Sequence, residues 1–70
     1  MIQDLNHKAF GRRLRAFRKP KGIYQDELAL RAEIDRSYVG WIERGEVRIT
    51  LEKAHRLPTT LGCDIRDLLS

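Results

Sequence analysis

The chain has 70 residues, of which 41% are hydrophobic, and this is enough for one small domain over residues 1–70 but not for a second domain or a deep catalytic cleft. A single cysteine excludes an internal disulfide framework, and the sequence shows neither a membrane-spanning apolar run nor a signal-peptide pattern, so we expect a cytoplasmic protein. The net charge of +4 and the pI near 9.7 describe a mildly basic chain.

The N-terminal segment predicts a basic amphipathic helix over residues 6–19, with Asn6 as a cap and Gly22 just beyond its end. Apolar residues recur at helical spacing in one stripe: Phe10, Leu14 and Phe17. Residues 1–22 carry seven basic residues against one acidic residue. This asymmetry indicates an anionic partner, either nucleic acid or a lipid surface, although a solvated helix face explains it equally well.

Two short helices are predicted next, one over residues 25–31 and one that begins after Asp35, its expected N-cap, and stops at Gly45. Residues 32–34 between them leave room only for a tight turn, so the pair forms a helix-turn-helix unit. The apolar residues expected to face inward are Leu28, Ala29, Ile34, Val39 and Ile42.

The last third of the chain predicts two further helices. The fourth begins after Thr50 and ends at Gly62, and the fifth begins after Asp64, its cap. Pro58 falls inside the fourth helix and should kink or shorten it, because proline lacks a backbone donor. The apolar stripes of the two helices are Leu51, Ala54, Leu57 and Leu61, then Ile65, Leu68 and Leu69. No segment shows the period of a strand, so we predict an all-α fold with five helices.

A set of motifs spans nearly the whole chain at a characteristic spacing. They are Arg18, Gly22-Ile23, QDELA from Gln25 to Ala29, IDRSYV from Ile34 to Val39, IERG from Ile42 to Gly45, Leu51, Leu61-Gly62 and Asp67-Leu68. The combination resembles the phage-repressor type of helix-turn-helix proteins, the Xre or Cro/cI-like family. The resemblance implies a five-helix, lambda-repressor-like DNA-binding domain whose helix-turn-helix unit covers about residues 25–44.

Three positions depart from the pattern of that family. Glu33 stands in the turn where the family usually has Gly, and a left-handed backbone there would cost roughly 1 kcal/mol. Tyr24 replaces the Ser or Thr that often caps the second helix, a loss of about 1 kcal/mol. Pro58 replaces a helix former. All three lower the expected stability, and none touches the expected reading face.

The resemblance also implies where DNA would bind. In such proteins the third helix lies in the major groove with its N-terminal residues facing base edges. The base-facing positions are then Arg36, Ser37, Gly40 and Trp41, and the phosphate-binding ones are Gln25, Arg44, Arg48 and Thr50. Arg36 could hold guanine through two hydrogen bonds or could only contact phosphate or solvent. Trp41 could pack on a thymine methyl group or cover the protein's own surface.

Two structural features follow from the same resemblance. Arg18 and Glu43 should form an internal ion pair that ties the first helix to the end of the third. Two subunits should pair across a two-fold axis, so that their half-sites lie one helical turn apart. The implied dimer interface consists of Leu61, Ile65, Leu68 and Leu69, which could alternatively serve only to close the core.

We therefore predict a sequence-specific, double-stranded DNA-binding transcriptional regulator, a dimeric repressor or controller that acts on a palindromic operator in the cytoplasm, at the nucleoid. The alternatives are an antitoxin-type module that binds a toxin and regulates its own operon, and a protein that binds membrane surfaces through its first helix. No catalytic constellation can be assembled, so no enzyme is predicted, and His7 and His55 are not at metal spacing, so neither metal nor cofactor is expected. Cys63 is predicted to be a small buried hydrophobe, with redox sensing as its alternative.

Overall fold

A computed structural model describes residues 7–69, and the predicted cap Asn6 lies outside them. Every regular element in this part of the chain is helical, which confirms the predicted all-α fold. The five α-helices are α1 (His7–Arg18), α2 (Gln25–Ala32), α3 (Arg36–Arg44), α4 (Leu51–Leu61) and α5 (Ile65–Leu69). A single 3-10 turn, Lys19–Lys21, follows α1. None of the helices described is long and apolar enough to cross a membrane.

The core forms where the predicted apolar stripes meet. Helix α1 packs against α3, α4 and α5, and α2 packs against α3 and α4. The fully buried side chains include Phe10, Leu14, Leu28, Val39, Leu57 and Leu68. Phe17 and Ile34 are only partly buried and pack against this core, while Ile23 and Ile49 enter it from the connections between helices. The side chain of Leu51 lies outside the described part of the structure.

Local hydrogen bonds at the helix ends follow the sequence signals with one exception. The hydroxyl of Thr50 accepts a hydrogen bond from the Lys53 amide at 3.3 Å, and the Asp64 carboxylate accepts one from the Arg66 amide at 3.1 Å. Asp35 immediately precedes α3, as predicted, but its side chain makes no capping hydrogen bond. Its place at the helix boundary was therefore predicted correctly, and its capping bond was not.

The structure shows the local conformation at the three positions that depart from the family pattern. Glu33 has φ 58° and ψ 47°, the left-handed conformation that carries the predicted strain. Tyr24 precedes α2 with an extended backbone and no side-chain hydrogen bond, so the cap is missing. Pro58 is fully buried inside α4, which nevertheless continues to Leu61. The expectation that proline would shorten this helix was therefore wrong.

Candidate nucleic-acid interface

Helices α2 and α3 are joined by a tight turn that fixes their mutual orientation. The amide of Ile34 donates to the carbonyl of Ala29 at 2.9 Å, and the amide of Glu33 donates to the carbonyl of Leu30 at 3.2 Å. Ala29 is buried in the core that the two helices share. This arrangement holds α3 with one face packed inward and the other exposed to solvent.

The exposed face of α3 carries most of the predicted base-facing residues. Val39 and Ile42 are buried, while Ser37 is exposed and Trp41 retains 45% of its surface. Helical spacing places Arg36, Gly40 and Arg44 on the same side, one turn apart. Arg44, which the family resemblance assigns to phosphate binding, therefore shares a surface with the residues assigned to bases. We call Arg36, Ser37, Trp41 and Arg44 the reading surface.

Gly40 is not exposed on this surface, contrary to the prediction. A β-carbon built at position 40 would lie 3.2 Å from Nη1 of Arg44 and 3.4 Å from Nη1 of Arg36. The two guanidinium groups therefore cover the glycine, which is buried beneath them. Gly40 makes room for the two arginines and does not itself face the solvent.

Both arginines of the reading surface are paired with carboxylates. The Nε of Arg36 donates to Oδ1 of Asp26 in the first turn of α2, and both side chains are exposed. The Nε of Arg44 donates to Oε1 of Glu46 at 2.9 Å. Each pair leaves guanidinium N–H groups unused by that carboxylate, because arginine has five such donors.

Arg18 and Glu43 are brought together in the interior. Nε and Nη2 of Arg18 donate to the two carboxylate oxygens of Glu43 at 2.6 and 2.9 Å, and the side chains are only 7% and 3% exposed. Nη1 of Arg18 donates to the Ile23 carbonyl at 2.7 Å. Gln25 donates to the same Glu43 carboxylate at 2.9 Å, so its amide contacts the C-terminal end of α3. One buried guanidinium thus connects three parts of the chain: α1, the segment that precedes α2, and the C-terminal end of α3.

An aromatic cluster beside the reading surface was missed by the sequence analysis. Trp41 meets Tyr38 edge-on, with ring centroids 6.5 Å apart, and Nζ of Lys53 lies 4.3 Å from the centroid of the Tyr38 ring. The Tyr38 hydroxyl donates to the carbonyl of Arg48 at 3.2 Å. These contacts fix the loop between α3 and α4 while the Arg48 side chain remains exposed. The i, i+3 spacing of the two aromatic residues was the available signal.

The predicted dimer interface is only partly available on the surface of the subunit. Leu61 is 3% exposed and Leu68 is fully buried, so both belong to the subunit's own core and cannot contact a second copy directly. Ile65 is partly buried, and Leu69 is 42% exposed. The assignment of Leu61 and Leu68 to the interface was therefore wrong, since their helix faces point inward.

Cys63 lies apart from the reading surface and is half-buried rather than fully buried. It packs against the core beside the start of α5. Burial raises the pKa of its thiol, and the nearby Asp67 carboxylate raises that pKa further. In the same segment, hydrogen bonds from Arg66 lower the pKa of the Asp64 carboxyl.

Comparison with known proteins gives a consistent set of relatives. Residues 9–70 match the family described as a helix-turn-helix domain. Control protein C.BamHI of Bacillus amyloliquefaciens is 33% identical over 61 residues, which cover 86% of this chain and 75% of that protein. The crystal structure of the restriction-modification controller protein C.AhdI from Aeromonas hydrophila superposes with a TM-score of 0.85 at 43% identity, over 87% of this chain and 92% of that one. The biofilm regulator SinR, solved in complex with DNA, gives a TM-score of 0.82 at 29% identity, over 87% of this chain and 98% of that one.

Proposed function

Because this chain belongs to the helix-turn-helix domain family, we propose that it is a DNA-binding transcriptional regulator that acts as a dimer on a palindromic operator. Its relatives are named as restriction-modification controllers and regulators, and one of them was solved with DNA bound. The family membership and the fold support the assignment as a transcriptional regulator that binds DNA.

The observation that carries the proposal is the composition of the reading surface. Two arginines, a serine and a tryptophan face outward from one helix, whose other face is packed against the core. Arginine can hold guanine O6 and N7 through two hydrogen bonds, and such a pair is worth about 1–3 kcal/mol of discrimination. A serine hydroxyl can form hydrogen bonds with more than one kind of base, and the tryptophan ring can contact the thymine methyl group.

Phosphate contacts are proposed on both sides of that surface. Arg48 projects from the loop before α4, and the N-terminus of α2 offers amide groups beside Gln25. Gln25 also donates to Glu43, so it links this phosphate site to the end of α3. The Thr50 hydroxyl accepts the Lys53 amide and caps α4, which leaves its own hydrogen free to donate to a phosphate. Contacts of this kind fix the register of the protein on DNA and carry no sequence information.

Dimerisation is proposed through the exposed side of α5. Leu69 and the exposed part of Ile65 are apolar surface near the C-terminal end of the described chain. One recognition helix reads only a few base pairs, and a two-fold pair of subunits doubles the site, with half-sites roughly 34 Å apart. Analytical ultracentrifugation of the protein and of its Leu69→Asp variant tests this part, and a wild-type monomer at all concentrations would contradict it.

The first experiment is selection from a random duplex DNA pool at about 0.15 M salt, where surface charge is partly screened. Enrichment of a palindrome with half-sites one turn apart is expected. Arg36→Ala should relax one position of the enriched site, whereas Arg48→Ala should weaken all sequences alike. A pool without enrichment, together with binding that disappears as salt rises, would contradict a sequence-specific regulator.

Binding of DNA by the reading surface requires neither a catalytic group nor a cofactor. Because the proposed partner is DNA, we propose that the protein acts in the cytoplasm, at the nucleoid. None of the relatives named above is described as an antitoxin. A toxin partner therefore has no observation in its favour.

A further inference from the structure

The carboxylate of Asp26 lies beside the reading surface, where its negative charge is unfavourable for DNA binding. Asp26 lies in the first turn of α2, and 82% of its side chain is exposed. The phosphates of a bound duplex would approach this end of α2, and a negative charge there repels them. The residue is nevertheless in contact with Arg36, the first residue of α3, across the helix-turn-helix unit.

The contact engages only one edge of the Arg36 guanidinium. Oδ1 of Asp26 accepts the Nε hydrogen, and Nη1 lies over Gly40. The two Nη groups keep their hydrogens for other acceptors, and they form the edge that can hold guanine O6 and N7 together. Because the guanidinium is planar, a bond at Nε fixes the plane in which the remaining donors point.

From this geometry we propose that Asp26 is a positioning residue that sets sequence specificity: it orients Arg36 toward one base pair and lowers affinity for DNA of any sequence. The inference rests on the proposed function and names a determinant of its selectivity. The exposed pair contributes little in water. DNA binding removes water from the groove, and the same pair of charges then interacts through a lower dielectric, which strengthens the orientation.

The test compares Asp26→Asn with a matched control, Glu27→Gln. Glu27 is the next residue of the same turn and carries the same charge, but its partner is Arg31 within α2. Affinities are measured for two duplexes, the selected site and the same site altered at the base pair that Arg36→Ala relaxes. The ratio of the two affinities reports discrimination, and the affinity for the altered duplex reports general binding.

Asp26→Asn should raise affinity for the altered duplex about 2–3-fold, because one repulsive charge is removed. It should lower the discrimination ratio about 3–10-fold, a part of the roughly 5–150-fold that a bidentate arginine–guanine pair supplies. Glu27→Gln should change both affinities by the same factor and leave the ratio unchanged. In an Arg36→Ala background, Asp26→Asn should leave the ratio unchanged as well.

Two results would overturn the inference while the proposed function stands. The first is an unchanged discrimination ratio in the Asp26→Asn variant. The second is that Asp26→Asn lowers the ratio by the same factor in the Arg36→Ala background as in the wild type, since Asp26 would then not act through Arg36. Thermal unfolding of both variants reports their fold, and a merely structural role of Asp26 would lower stability without changing the ratio. If the wild-type protein enriches no site at all, the proposed function fails and the inference fails with it.

Discussion

The α-carbon of Gly11 packs directly against the carbonyl oxygen of Ile42, so that a β-carbon at position 11 would lie 2.2 Å from that oxygen. The Glu43 carbonyl oxygen would lie 2.9 Å away. Both neighbours are backbone atoms at the C-terminal end of α3, and neither can move without shifting the helix. The absence of a side chain in the middle of α1 therefore sets how closely α1 supports the helix that carries the reading surface.

Gly11→Ala should lower the free energy of unfolding by about 2–3 kcal/mol, since the added methyl group overpacks a rigid contact. The matched control is Gly40→Ala. There the nearest atoms are the ends of two flexible arginine side chains, and the helix propensity of alanine should raise stability by about 0.5–1 kcal/mol. Urea denaturation of both variants measures the two effects. An unchanged or higher free energy of unfolding in Gly11→Ala would contradict the close approach of α1 and α3.

The ion pair between Arg18 and Glu43 gives a second prediction. Arg18→Met removes the cation and leaves a buried carboxylate with Gln25 as its remaining donor. The expected loss of stability is about 3–5 kcal/mol, because an uncompensated charge then lies in the interior. Adding Glu43→Leu to this variant should recover part of the loss, since the buried charge disappears. Chemical denaturation at two salt concentrations measures both values.

The control for the ion pair is Arg31→Met, which removes an exposed partner of Glu27 within α2. An exposed i, i+4 pair contributes about 0.3–0.5 kcal/mol, so this change should be small and should depend on salt. A comparable loss in the Arg18 and Arg31 variants would show that the interior pair behaves like a surface pair.

The fold could be predicted because its signals are local. The stripe containing Phe10 and the one containing Leu57 follow from helical spacing alone, and the short gap around Glu33 leaves only a tight turn. Burial of whole helix faces is harder to predict, because it depends on which helices meet. The periodicity that placed Leu61 in the apolar stripe of α4 and Leu68 in that of α5 could not say whether these stripes meet the core or a second subunit.

The site was predicted through family resemblance, which supplied the positions on α3 and the Arg18–Glu43 ion pair but not the other contacts of these residues. Arg36 was assigned correctly to the outer face of α3, yet its pairing with Asp26 depends on how two helices cross and has no signature in either segment. The Lys53 contact with Tyr38 is of the same kind. Gly11 did carry a local signal. Glycine inside an otherwise regular helix is unfavourable for helix formation, so its presence there indicates a close packing contact.

The Cys63 thiol gives a prediction about reactivity. Burial raises its pKa, so at a given pH a smaller fraction is thiolate than in the unfolded chain, and the thiolate is the reactive form. Alkylation by iodoacetamide at about pH 8 should therefore be slower in the folded protein than in the same protein in urea. Cys63→Ser should abolish labelling in both states. Faster labelling of the folded protein would contradict the burial of the thiol and support the alternative redox role.

The strained turn supplies the last prediction. Glu33 is the only described residue other than glycine with a positive φ, and its side chain is exposed. Glu33→Gly should raise the free energy of unfolding by about 1 kcal/mol, because glycine adopts this conformation without the clash of a β-carbon. For a domain of this size that gain corresponds to a rise of about 4–8 °C in Tm. Glu33→Ala is the control: it removes the same charge but keeps the β-carbon, so it should bring no comparable gain. A rise in Tm of equal size in both variants would assign the effect to charge and not to the backbone.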